Sequence, residues 1–411
     1  MDAFLLDEAT IPLKNDSVMA KMLTPDSEIR DLILEYGDSE ALKCYQCGMC
    51  MSLCPWYQME KVDFLVHRLP QAVKLGAILN SEDKDEIAAE VTELYRCVGC
   101  EACLAQCPRG VDIPRVLRAI RRILVENQSV PSPLQATMNH CYSTGNPLAG
   151  EPEQRFAWAK GLDVPEFADG MEYAWFTCCT ADFDPRCQAV NRATVRILKK
   201  AGVSFGTLGI EQVCCGEAMR KAGAEKVFQH LAKANKSVVD KPAVKKLLFT
   251  SPHCFNGFRR DYSELVQNRE LVHATLLFDR LITEGRIKPK KELAKKVVYH
   301  DPCTLGRQSG IYDEPRRVLK SIPGLELVEI ENFNRDQSVC CGGGGGGLWL
   351  DWPKGERLSD LRVKQAAETG AEILAVACPY CLQMFEDSVK TMGIDMQVFD
   401  VAEILADSFE Y

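Results

Sequence analysis

Cys44, Cys47, Cys50 and Cys54 lie in the spacing C-x2-C-x2-C-x3-C and are followed by Pro55, and Cys97, Cys100, Cys103 and Cys107 repeat it, followed by Pro108. Three thiolates on so tight a loop can each hold one iron of a cubane [4Fe-4S] cluster, and where two such runs share a chain the fourth cysteine of each serves the other cluster. The pattern predicts one cubane on Cys44, Cys47, Cys50 and Cys107, and a second on Cys97, Cys100, Cys103 and Cys54. Zinc would use two short cysteine pairs and leave the extra step and the terminal Cys-Pro without a purpose.

A second constellation fills the C-terminal two thirds. Cys303 follows "VVYHDP", Cys340 and Cys341 follow "QSV", and Cys378 and Cys381 follow "ILAVA", which gives C-x36-CC-x36-C-x2-C. Cys179 follows "YAWFT", Cys214 and Cys215 follow "IEQV", and Cys254 lies in "TSPHC". Matched cysteines are 124, 126 and 127 residues apart, so one unit is present twice.

The elements that position these thiols are legible. From Glu172 onward short apolar runs such as "VSF", "KKLLFTS", "LELVEI" and "MQVF" alternate with amphipathic helical stretches, the pattern of buried parallel strands. The cysteines fall at the ends of those runs, and ligands of open α/β sheets gather beyond the carboxyl ends of strands. Around the N-terminal runs the spacing predicts helices instead. "SEDKDEIAAEVTELYR" offers Ser81 as N-cap with Ile87, Val91 and Leu94 on one face, and "DIPRVLRAIRRILVEN" turns Val116, Ile120, Ile123 and Leu124 inward. The fold class is therefore α+β overall, a small all-helical domain with two [4Fe-4S] clusters followed by a duplicated α/β domain. The expected divisions are an N-terminal extension or docking segment 1–43, the helical domain 44–127, a Pro- and Gly-rich connector 128–170, a first α/β module 171–290 and a second 291–411.

With 46% hydrophobic and 26% charged residues the chain is globular, and a net charge of −9 argues against nucleic acid or an anionic membrane as main partner. No signal-like opening and no apolar run of about 18 residues is present, which predicts a cytoplasmic protein without a membrane span. In that compartment twenty cysteines read as metal ligands rather than disulfides. Cys141 stands alone in the connector and reads as a buried hydrophobe.

"CCGGGGGGLWLDWP" begins at paired cysteines and ends at Trp349 and Trp352. Gly342, Gly343, Gly344 and Gly345 read as a cofactor-cradling loop, since glycine lets a backbone pass close to a bulky cluster and aim its N–H groups at sulfur. The tryptophans then form a lid or partner surface, or core. His300 and His253 sit beside ligand positions, where a histidine can deliver protons near neutral pH or fix a cysteine loop. "KPKKELAKK" reads as a solvated connector or a docking patch.

The residues resemble a known family. "CYQCGMCMSLCP" and "CPRGVDI", with "YHDPCTLGR", "CCGGGGGG" and "CPYCLQMF", are similar to the D subunit of heterodisulfide reductase, which joins that enzyme's C and B subunits. Related iron–sulfur subunits serve sulfite reduction, flavoprotein:quinone and benzoyl-CoA reductase complexes. The resemblance implies a noncubane [4Fe-4S] cluster on Cys303, Cys340, Cys341, Cys378 and Cys381; together with His300, read from its place three residues before Cys303, these are the expected catalytic residues. In the first module it puts Ser251 where a cysteine ligand is expected, and a hydroxyl is a far weaker iron ligand than a thiolate. Either Cys178 compensates, or Cys179, Cys214, Cys215 and Cys254 hold a smaller or ordinary further iron–sulfur cluster. Cys187 reads as a helix cysteine.

The implied function is that of an oxidoreductase subunit relaying single electrons through the cubanes to the noncubane cluster and a disulfide–thiol substrate. The alternative is pure electron transfer between a flavoprotein or quinone-reactive membrane subunit and another reductase. Partners are then a flavoprotein, a b-type cytochrome or quinone-reactive subunit, or a reductase, with peripheral membrane placement through one of them. "GLGIEQVCCG" lacks the spacing of a dinucleotide loop, so hydride chemistry would belong to a partner.

Overall fold

A computed structural model describes residues 25–410, apart from Asp38, Glu60, Lys61, Asp63, Leu65, Asn80 and Glu82. Most of the expected N-terminal segment 1–43 lies outside the described residues.

The apolar runs form two four-stranded parallel sheets. In the first, β1 (Tyr173–Phe176), β2 (Phe205–Thr207), β3 (Lys246–Phe249) and β4 (Glu270–His273) pair in the order β2-β1-β3-β4. The second uses β5 (Lys296–Tyr299), β6 (Glu326–Val328), β7 (Ile373–Val376) and β8 (Gln397–Asp400) in the order β6-β5-β7-β8. Register confirms the duplication, with Trp175 opposite Leu248 in one sheet and Val298 opposite Leu374 in the other. The central strands are buried along their length, whereas edge strand β6 is only half buried. In each sheet the chain reverses its winding between the two central strands, and their carboxyl ends open the crevice where parallel sheets bind ligands.

The two sheets are packed reciprocally. Helix Gln188–Lys200 of the first module lies on Val401–Asp407 of the second, and Asp313–Lys320 of the second lies on Ala274–Thr283 of the first. Ion pairs Arg196–Asp407 at 3.0 Å and Arg317–Asp279 at 2.6 Å repeat the relation. A local twofold relation thus runs between the modules.

The N-terminal region is helical. Ile113–Glu126 starts on Asp112, whose side chain accepts from the Arg115 amide, and buries Val116, Leu117, Ile120 and Leu124, with Ile123 partly covered. An earlier helix is Lys84–Leu94, and its N-cap is Asp83 rather than Ser81. The Asp83 carboxylate accepts from the amides of Asp85 and Glu86, while Ser81 donates to the Glu86 side chain at 2.5 Å, two residues too early to cap. Segment 128–170 carries the helix Ser132–Thr144, started by proline at its first turn and stopped by Gly145 at φ 72°. Among the described residues no helix is long and apolar enough to cross a membrane.

Candidate metal centres

All twenty cysteines are free thiols, and the eighteen expected as ligands gather into four sets. In the first ferredoxin-type set Cys50 is surrounded by Cys44, Cys107 and Cys47, and burial followed by the charge of Cys44 pushes its thiol up to about 11. In the second, Cys103 is ringed by Cys97, Cys100 and Cys54. The fourth cysteine of each run therefore stands with the other run. Amides of Gln46 and Val111 donate to the sulfurs of Cys44 and Cys107 at 3.4 and 3.3 Å. Closely packed, unbridged thiols that accept N–H bonds fit cuboidal iron–sulfur clusters.

In the second α/β module Cys303 follows β5, Cys340 and Cys341 follow β6, and Cys378 caps the helix Pro379–Met392 after β7, with Cys381 in its first turn. The sulfurs of Cys303 and Cys340 are 3.7 Å apart, those of Cys381 and Cys341 3.3 Å. The Gly342 amide, held at φ 94°, donates to Cys340 Sγ at 3.5 Å. His300 is fully buried; its Nδ1 accepts from Arg362 Nε at 3.1 Å, so Nε2 carries the proton. His300, Cys341 and Cys381 bring their ligating atoms within 4.8 Å of one another. Burial keeps the ring neutral against the pull of Cys341, and contacts with Cys340, Cys381 and His300 hold the Cys341 thiol well below its usual range.

The first module repeats this with altered parts. The Gly216 amide, at φ 75°, donates to Cys214 Sγ at 3.4 Å. Cys214 touches Cys179 and Cys215, and Cys254 touches Cys215 and Cys178. Ser251, 1% exposed, caps the helix Pro252–Asp261 as Cys378 caps its counterpart; its hydroxyl faces Cys178 and has no well-aligned hydrogen-bond partner. Cys178 thus supplies the sulfur that contacts Cys254, as Cys378 does for Cys381. Cys187 turns aside and bonds the Pro379 carbonyl at 3.7 Å.

Two further features were not singled out in the sequence as joining the sets. His253 and Tyr380 occupy matched positions in the two modules and pack with ring centroids 4.3 Å apart and planes tilted by 33°. His253 reaches Cys378 of the second set, while Tyr380 is within electrostatic range of Cys214, Cys178, Cys215 and Cys179 of the first. His253 Nδ1 is 3.0 Å from Glu217, which also pairs with Lys221 at 2.5 Å. Burial opposes a charged ring there, but Glu217 and Cys378 outweigh it and raise His253 well above the ordinary imidazole range. Its signal in the sequence was the shared Pro-x-Cys step at 252–254 and 379–381.

The second feature is the seat of the ferredoxin-type loop on the second module. From the second module Gln308 donates to the Gly99 carbonyl at 2.9 Å and Arg307 to that of Cys100 at 3.0 Å, while Arg121 of the helical domain holds the Cys97 carbonyl at 2.6 Å. A Cβ on Gly344 would stand 2.4 Å from the Val98 carbonyl oxygen. The glycine run thus also makes room for this loop. As a result Cys100 contacts Cys340, and that contact, against burial and with Arg307, brings the Cys100 thiol down to about 6. Trp349 and Trp352 line a recess of about 380 Å³ with Trp56, Gly342, Met384 and Arg357. The amides of Lys290 and Lys291, in the basic run, both donate to the Ser408 carbonyl at 2.9 Å.

Ferredoxin-type thiols docked on paired cysteine-rich sheets define an iron–sulfur oxidoreductase subunit built for electron transfer. Residues 40–111 match the 4Fe-4S dicluster domain family, and 173–259 and 297–386 match the cysteine-rich domain family CCG. The chain belongs to the family typified by the D subunit of heterodisulfide reductase. It is 31% identical to the D subunit of the dihydromethanophenazine:CoB–CoM heterodisulfide reductase of Methanosarcina barkeri, over 89% of this chain and 93% of that one. It is 32% identical to the EtfAB:quinone oxidoreductase of Syntrophomonas wolfei and 28% to a probable iron–sulfur-binding oxidoreductase, FadF, of Bacillus subtilis. Each of these two is matched over 89% of this chain, which spans 58% and 59% of their lengths. A crystal structure of a hypothetical protein from Helicobacter pylori shares the fold, with a TM-score of 0.52 and 10% identity over 94% of this chain and 73% of that one.

Proposed function

We propose that this chain relays single electrons from two cubane sites into a noncubane site of its second module, and from there to a disulfide–thiol couple. The observation that carries this reading is the contact between Cys100 and Cys340, which joins a ligand position of the ferredoxin-type domain to one of the second module. Bound clusters would supply reversible one-electron chemistry. Cys44, Cys47, Cys50 and Cys107 would hold one cubane, and Cys97, Cys100, Cys103 and Cys54 the other. Cys303, Cys340, Cys341, Cys378 and Cys381 would hold the noncubane cluster, with the Gly342 amide donating to Cys340 and His300 orienting Cys341. In the first module Cys178 takes the place that Ser251 leaves, alongside Cys179, Cys214, Cys215 and Cys254.

Reduction of a disulfide takes two electrons and two protons and releases two thiols. The electrons would come one at a time from a partner, a flavoprotein or a quinone-reactive subunit, and protonated His253 stands beside Cys378 as a proton source. Mixing dithionite-reduced protein with a mixed disulfide should release thiol and give a new paramagnetic signal. Neither signal nor thiol would favour a second reading, electron transfer without a substrate. The His253–Tyr380 ring pair supports that second reading, because it stands between the two sulfur sets and takes room that a disulfide held between them would need.

A further inference from the structure

We infer that Cys141 is an additional iron ligand of the first module's centre, a role that rests on the reading of that module as an iron–sulfur site. In the second module Cys340 has three thiol neighbours, Cys100, Cys303 and Cys341. In the first, the matched Cys214 also has three: Cys141, Cys179 and Cys215. Cys141 therefore occupies, at one corner of the first set, the place that a cubane ligand occupies at the second.

The backbone enforces this position. The Cys214 amide donates to the Gly145 carbonyl at 2.7 Å, one turn beyond Cys141 on the helix Ser132–Thr144. Gly145 packs so closely on Val213 that an added Cβ would meet its Cγ1 at 2.6 Å. Leu134 of the same helix touches Gly346 of the glycine run, which ties both ends of the helix to module loops. Cys141 is wholly buried. The set it faces has lost the sulfur of its helix-capping position to Ser251, whose buried hydroxyl is left without a well-aligned partner, so its sulfurs are drawn from other loops. A buried thiol among thiols that are expected to bind iron is a donor of the right softness. In the second module the corresponding corner leads to a cubane, whereas here it is closed by a residue of the segment between domains, so the first centre has a ligand in place of an entry point.

The test is 57Fe Mössbauer spectroscopy and iron analysis of full-length protein prepared without oxygen, as wild type, Cys141→Val, Cys141→Ser and Cys215→Ala. Valine keeps the volume and removes the sulfur. Cys141→Val should lower the iron content and remove or alter the first-centre component while the cubane and second-centre components stay unchanged. Cys141→Ser should keep more of that iron with a changed isomer shift. If Cys215→Ala removes the component and both Cys141 variants leave it and the iron content at wild-type values, Cys141 is packing alone. If Cys215→Ala changes nothing, the first module holds no iron and the reading beneath this inference falls with it.

Discussion

The two α/β modules share strand order, helix capping and the geometry of their paired cysteines, yet they solve the same problem with different residues. The second has a sulfur at the cap of its helix, on Cys378. The first has Ser251 there and moves the sulfur to Cys178, at the carboxyl end of the neighbouring central strand β1. Because the two central strands end side by side, a thiol on either loop can reach one point. A duplicated sheet can therefore keep the place of a sulfur and leave open which strand supplies it.

The strongest way to break the comparison is at the second CC pair. Cys341→Ala should remove the second centre and lower substrate-linked activity beyond the roughly 10–100-fold typical of outer-shell metal partners, as read by turnover and by electron paramagnetic resonance. In the first module Cys178→Ala should alter only first-centre iron, and the double variant Cys178→Ala/Ser251→Cys should restore it by returning the sulfur to the capping position. A double variant with no first-centre iron would show that the two positions are not interchangeable.

Glu217 tests the link between the modules. Burial works against its carboxylate, but Lys221 and His253 overcome that and bring it to about 2, from an ordinary value of 4.5. A depressed carboxyl stabilises the fold above its unfolded value and loses that contribution as pH falls through the folded one. The shift corresponds to about 3 kcal/mol. Glu217→Gln should therefore be less stable than wild type from pH 7 to 5 in urea unfolding, with the gap closing as pH falls from 4.5 towards 2. A smaller effect is expected of Gly344→Ala, which crowds the Val98 carbonyl at a cost of about 1–3 kcal/mol. It should slow electron passage from the cubanes into the second module in stopped-flow absorbance while iron content is unchanged.

Much of this was legible in the chain. Each apolar run after Glu172 became a parallel strand, because buried β-rich segments bounded by turns have few alternatives, and the cysteine offsets announced the duplication. The N-cap at Ser81 failed because Asp83 lies closer to the free amides, a distinction of two residues that periodicity does not resolve. Cys141 reads as isolated because its neighbours are distant in sequence; tertiary contacts such as the Gly145–Cys214 backbone bond bring them together. The glycine run signals closeness to sulfur, but its fit against the Cys97–Val98 backbone depends on a docking that no local pattern encodes.

Arg121 adds a consequence for how the protein is assembled. Its guanidinium, on a residue 2% exposed, donates to the carbonyls of Leu94 and Cys97 in the helical domain, Lys221 in the first module and Gly345 in the second. Withdrawing a charge from water costs several kcal/mol unless every donor is met, and these acceptors come from three parts of the chain. Burial of Arg121 is thus favourable only when all three are in place, so this side chain reports coincidence: a helical domain meeting a half-formed α/β pair would gain no lasting hold on it.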